Sequence, residues 1–137
     1  MVRPDVIRKR LEKLDEYLAI LRQLQRYSCD EFVANPERYG SAKRFLQLAI
    51  DSLNDVGNHV VAEAGLGTVD WYSDIPHRLR EAGLIDSSQE ETWIRMIGLR
   101  NILVHDYLKI DRTIVFRVLQ ENLGDLEGFK QVFAQFL

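Results

Sequence analysis

Cysteine is nearly absent from this chain, with Cys29 alone among 137 residues. No internal disulfide framework can form, and its neighbours Ser28, Asp30 and Glu31 lack the cations that activate a thiol, so Cys29 reads as structural and suits a reducing cytosol. An excess of one charge is missing too. Eighteen Lys+Arg stand against 21 Asp+Glu, a formal charge of -3, so no general basic field draws the chain to DNA or to a membrane, and any RNA contact has to be local. No uncharged apolar run approaches the roughly 20 residues of a membrane span, and Met1-Val2-Arg3-Pro4-Asp5 enters charged sequence without an apolar leader. A soluble, cytoplasmic, non-secreted protein is expected. Histidine is scarce, three in all, with no pair at metal-ligand spacing and Cys29 distant from each, so neither a metal site nor a cofactor is expected. A Gly-rich phosphate loop, His-Glu-x-x-His and Gly-x-Ser-x-Gly are all lacking, which excludes most enzyme motifs.

What the chain does have is helical period. Ile7, Leu11, Leu14, Leu18 and Leu21 recur at steps of four and three after Pro4, predicting an amphipathic helix of about six turns. Ser28 with Glu31 three places on is a capping-box pattern for a short helix holding Phe32 and Val33, stopped by Asn35-Pro36. A second long helix is predicted over 41–64 from Leu46, Ala49, Leu53, Val56 and Val60, bounded by Gly40-Ser41 and Gly65-Leu66-Gly67. Asp74-Ile75-Pro76 opens a short helix closed by Gly83. Ser87 and Ser88, with Glu90 and Glu91, offer overlapping caps for a helix bearing Trp93, Met96, Ile97 and Val104. Asp111 caps a last segment running through Leu119, Leu126, Phe129 and Phe133, with Gly124 and Gly128 as points where it could bend. Nothing alternates with period two, and no repeat is visible. The expectation is one all-α domain over 1–137, a bundle of four to five helices with short connections.

At the end of the fifth of these predicted segments lies Arg100-Asn101-Ile102-Leu103-Val104-His105-Asp106-Tyr107. This Arg-x4-His-x-Tyr pattern, with a polar residue directly after the arginine, resembles the HepT-like toxins of the HEPN superfamily. Asp55-Val56-Gly57-Asn58-His59, the Gly65-Leu66-Gly67 break, the stretch from Tyr72 to Gly83 and Gly98-Leu99-Arg100 are similar to that family in order and spacing. The resemblance covers roughly residues 4 to 130 by the helix pattern, and the motif shows no departure. It implies a HEPN-like bundle acting as a metal-independent endoribonuclease toxin. It further implies a homodimer that brings two motifs into one cleft, and a minimal nucleotidyltransferase antitoxin that places AMP on Tyr107. Without the resemblance, Tyr107 reads as a boundary aromatic with a packed ring and a wet hydroxyl.

RNA cleavage without a metal needs a group to take the 2′-hydroxyl proton, a group to protonate the leaving 5′-oxygen, and fixed positive charge at the phosphorus. His105 suits either proton step. Arg100 suits the phosphate, because its planar fork binds two oxygens and stays charged. Asn101 can orient the imidazole or hold a phosphate oxygen. In one unbroken helix, Arg100 and His105 would point about 140° apart. A helix ending near Val104 would ease that, and an extended Asp106-Tyr107 would then set Tyr107 on the His105 side.

Other residues carry two readings each. Asp51, Asp55, Asn58 and His59 form a polar stripe, either a solvated face with His59 paired to Asp55 or the wall of a cleft opposite Arg100. Arg8, Lys9, Arg10 and Lys13 are either a solvated helix face or contacts for the RNA backbone. His77 is expected at the surface. The whole bundle admits a second reading, a non-catalytic module that docks the nucleotidyltransferase or a nucleotide through Arg100 and His105.

Overall fold

The computed structural model describes residues 2–105 and 111–137, so Asp106 and Tyr107 lie outside the described residues. Seven helices and no strand occur among the described residues: α1 Pro4–Leu24, α2 Cys29–Val33, α3 Pro36–Glu63, α4 Asp74–Glu81, α5 Ser87–His105, α6 Arg112–Glu121 and α7 Leu123–Ala134. The fold is all-α, and five of the helices have ten residues or more.

Helix α1 buries the Ile7, Leu11, Leu14, Leu18 and Leu21 stripe that its spacing predicts. That stripe packs on α3, and Arg3 with His59, Arg10 with Asp55 and Tyr17 with Phe45 fix the two helices as antiparallel. Helix α2 opens with the expected capping box of Ser28 and Glu31. Asn35-Pro36 ends it, but the same dipeptide also starts α3, because the Asn35 side-chain Oδ1 accepts the amides of Glu37 and Arg38 while Pro36 fills the first helical position. Helix α3 therefore begins at Pro36 instead of residue 41, and Gly40-Ser41 are helical. A cap worth about 1 kcal/mol offsets one glycine in the first turns.

Gly83, at φ 76°, closes the α4 turn in the left-handed region, as expected of a residue one past a helix cap. Asp86, one residue before the two serines, caps α5. Its carboxylate accepts the Gln89 amide and its own amide donates to the Gln89 side chain. At the other end of the chain the helical run breaks at Asn122, with φ -115° and ψ 0°, and both Gly124 and Gly128 lie inside α7.

The core centres on Trp93 of α5, which is fully buried. Phe129 and Phe133 of α7 cover its ring at centroid distances of 4.9 and 5.9 Å. Gly57 of α3 lets the ring approach, since a Cβ there would stand 2.6 Å from Ile75 and 2.8 Å from Trp93. Helix α7 is strapped along α1 by Lys130 to Asp15 at 2.6 Å and by Arg22 to Glu127. No described helix is long and apolar enough to cross a membrane.

Candidate active site

Helix α5 passes α3 antiparallel and reaches it with two polar contacts from one side. Trp93 Nε1 donates to Asn54 Oδ1 at 2.8 Å, in a place where Asn54 is only 3% exposed. Seven residues later, two turns along the same face, Arg100 Nε donates to Asp51 Oδ1 at 2.7 Å. The Arg100 and Asp51 side chains are 19% and 32% exposed, so this pair sits at the edge of the core, half in water. The Tyr72 ring lies beside it, 6.0 Å from the guanidinium carbon. A guanidinium carries more donors than one carboxylate oxygen takes, so engagement through Nε fixes the direction of the fork without using it up.

Asn101 is exposed one residue on, and His105 is exposed as the last residue of α5. The helix runs through His105, one residue past the expected end near Val104, so the angular separation of about 140° from Arg100 holds within one chain. A single copy offers the arginine on one side and the histidine on another.

The stripe on α3 divides. Asp51 faces Arg100, which fits the cleft-wall reading, whereas Asp55 turns to Arg10 of α1 at 3.2 Å. Burial pushes the Asp55 carboxyl up from the ordinary range, Arg10 pulls against that, and the neighbouring Asp51 charge adds to the rise. His59 pairs with neither aspartate. Its Nε2 accepts the Arg3 backbone amide at 3.2 Å, so the expected His59–Asp55 pair is replaced by a tie to the start of α1. Of the basic cluster, Arg10 is held by Asp55 and Lys13 by Glu16, and Lys9 joins them along an open hollow of about 600 Å³ whose far wall includes Asp51 and Asp55. His77 is half exposed and meets Glu90 at 2.6 Å, tying α4 to α5. Cys29 is half-buried. Among the described residues no group of three or more His, Cys, Asp or Glu side chains is placed to hold a metal ion.

Sequence reasoning did not single out Asp51 as the partner of Arg100. The available signal was the Asp51, Asp55, Asn58 and His59 stripe itself, already readable as the wall of a cleft opposite Arg100, with nothing in the spacing to choose Asp51 over Asp55.

A family model described as Ribonuclease HepT-like matches residues 7–133. The mRNA nuclease HepT of Shewanella oneidensis is 34% identical over 87 residues, 64% of this chain and 65% of that protein, so the alignment spans just under two thirds of the relative. The tRNA nuclease HepT of Aphanizomenon flos-aquae is 26% identical over 118 residues, 86% of this chain and 80% of the relative. Among solved structures, the tri-AMPylated Shewanella oneidensis HEPN toxin in complex with MNT antitoxin superposes with a TM-score of 0.90 at 26% identity, covering 97% of this chain and 99% of the other.

Proposed function

This chain belongs to the HepT-like ribonuclease family, and from that premise we propose that it is a metal-independent endoribonuclease toxin working as a homodimer. In this reading Arg100, Asn101 and His105 of two copies line one cleft, and a minimal nucleotidyltransferase antitoxin neutralises it by adenylylating Tyr107. The observation that carries the reading is Arg100, held in direction by Asp51 at the end of the helix that finishes on an exposed His105.

The divergence of Arg100 and His105 on one helix favours two copies over one, because convergence then has to come from a second molecule. His105 of one copy takes the 2′-hydroxyl proton as the 2′-oxygen bonds to phosphorus. The bond from phosphorus to the 5′-oxygen breaks, and the protonated His105 of the second copy gives its proton to that leaving oxygen. Arg100 holds the non-bridging oxygens while negative charge builds on them. The products are a 2′,3′-cyclic phosphate and a 5′-hydroxyl. Lys9 and Lys13, on the hollow beside Asp51, suit contacts to the flanking backbone. AMP on Tyr107 would set a phosphodiester and a purine against Arg100 and occupy the cation meant for substrate.

His105→Ala tests the reading directly. Cleavage should fall by about 10²- to 10⁴-fold, the usual worth of a general acid–base group, with helicity unchanged and wild-type cleavage surviving EDTA. Equal cleavage by both proteins sinks the ribonuclease reading, and loss in EDTA with recovery in magnesium sinks its metal-free form. Incubation with the nucleotidyltransferase and ATP should add about 329 Da per adenylate to wild type and nothing to Tyr107→Phe.

A further inference from the structure

The two tryptophans have opposite fates. Trp93 is sealed in the core, while Trp71 is 75% exposed and the adjoining Tyr72 is 52% exposed, in the connection between α3 and α4. Exposed rings on a loose loop would carry little meaning, but this connection is fixed. The Asp74 carboxylate accepts the amides of both Asp70 and Trp71 at 3.0 Å, which holds its carboxyl below the ordinary carboxylate range. The amides of Asp74 and Ile75 return to the carbonyls of Trp71 and Tyr72 at 2.9 and 3.1 Å, and buried Ile75 anchors the turn from beneath. Rings presented this way need no ordering when something stacks on them.

Between the rings and α3 lies an open hollow of about 420 Å³, a size in the ordinary range of small-ligand sites. Its polar lining includes Asn58, Asp55 and Asp70. Carboxylates repel phosphate and accept N–H donors, and an amide does both kinds of bonding. Arg10 is already engaged by Asp55, and a further cation nearby is Arg100, whose guanidinium carbon lies 6.0 Å from the centre of the Tyr72 ring. One end of the arrangement thus suits a flat ring with an amino edge and the other suits an anion, which are the two ends of a nucleotide. A greasy peptide segment would instead have to bury against Asp55 and Asp70.

We propose that Trp71 and Tyr72 form a stacking platform for an unpaired nucleobase bearing an exocyclic amino group (adenine, guanine or cytosine), seated next to the phosphate held by Arg100. The proposal deepens the ribonuclease reading and rests on it for the source of the nucleotide. Stacking reads no sequence by itself, since every base has a π-face. The discrimination comes from the acceptors of Asp70 and Asn58 and the Asp55 oxygen that Arg10 does not take, which leave uracil, without an amino group, the poorest occupant.

Binding is measured on the full chain carrying His105→Ala, so that cleavage does not consume the probe, by anisotropy of short labelled oligoadenylate and oligouridylate. Adding Trp71→Ala should weaken oligoadenylate about 5- to 150-fold, the equivalent of roughly 1–3 kcal/mol for one stacked base, while Trp71→Phe keeps most of the affinity. Oligouridylate should bind the parent more weakly and lose less. Unchanged oligoadenylate affinity in Trp71→Ala overturns the platform, as does a parent that binds no oligonucleotide. Trp71→Ala that spares RNA binding but dissociates the dimer makes the ring a subunit contact, and one that spares RNA but loses the nucleotidyltransferase makes it a protein-docking residue. The ribonuclease reading is judged separately by cleavage. Cleavage with no Trp71 effect removes the platform alone, and Trp71-dependent binding without cleavage removes the nuclease and leaves a nucleotide site.

Discussion

Trp93 and Arg100 occupy equivalent places two turns apart on α5, and each reaches α3 with one short hydrogen bond, to Asn54 and Asp51 respectively. The indole has a single N–H and spends it, in a place closed to water. The guanidinium has donors beyond the one that binds Asp51 among the described residues, in a place partly open to water. The first contact completes a core, whereas the second leaves recognition capacity on a fixed frame. Stability and function should therefore respond in opposite ways along a single helix face.

The largest effect is expected at the closed end. Trp93→Ala empties the space under Phe129 and Phe133 and strands the Asn54 side chain, and it should cost about 3–5 kcal/mol in urea unfolding. A loss below 1 kcal/mol would break the contrast. Next comes Asp51→Asn, which keeps shape and removes the charge that aims Arg100. Turnover should fall by up to about 10²-fold through misplacement, while stability moves by about 1 kcal/mol or less, as for a partly exposed ion pair. An Asp51 variant that unfolds the protein yet spares turnover among folded molecules would reverse the assignment. The smallest effect sharpens the comparison with a carboxylate that serves only backbone. Bonding to the Trp71 and Asp70 amides lowers the Asp74 carboxyl below its ordinary 3.8. Its contribution is thus fully present above that value and is lost as pH falls through the lower folded value. The stability gap between wild type and Asp74→Ala should be flat above about pH 5 and shrink below it, followed by urea midpoints at stepped pH. A gap that widens with acid would contradict the sign.

The parts of this molecule legible from sequence are those set by local rules. The stripe of α1, the capping box at Ser28, the left-handed Gly83 and the cap at Asp111 follow from spacing and residue type alone, and each appears where expected. Boundaries failed where two local signals competed. Asn35-Pro36 is a stop for one helix and a start for the next, and Gly40 sits in α3 because the cap and the buried face beyond it outweigh its cost. Asn122, not a glycine, breaks the last run: its backbone leaves the helical region at φ -115° and ψ 0°, and its side-chain amide donates to the Asp125 carboxylate in the first turn of α7. At the site, Arg100, Asn101 and His105 were visible as a motif, but their surroundings were not. Partners such as Asp51 for Arg100, Arg10 for Asp55 and the Arg3 amide for His59 lie 45 or more residues apart in sequence. No periodicity within a helix tells which of its polar faces will meet another helix.

The strap between α7 and α1 has a consequence for the order of events during synthesis. Lys130 and Asp15 are 115 residues apart, and the rings that cover Trp93 come from Phe129 and Phe133. While the chain is still being made, α1 to α5 can gather, but one side of Trp93 stays in water until α7 has left the ribosome. The register of α5 on α3, which sets Asp51 against Arg100, lacks its cover for that whole interval. The Asp51–Arg100 contact lies within α3 and α5 and can form in that interval, whereas Trp93 is closed off only when Phe129 and Phe133 pack on it.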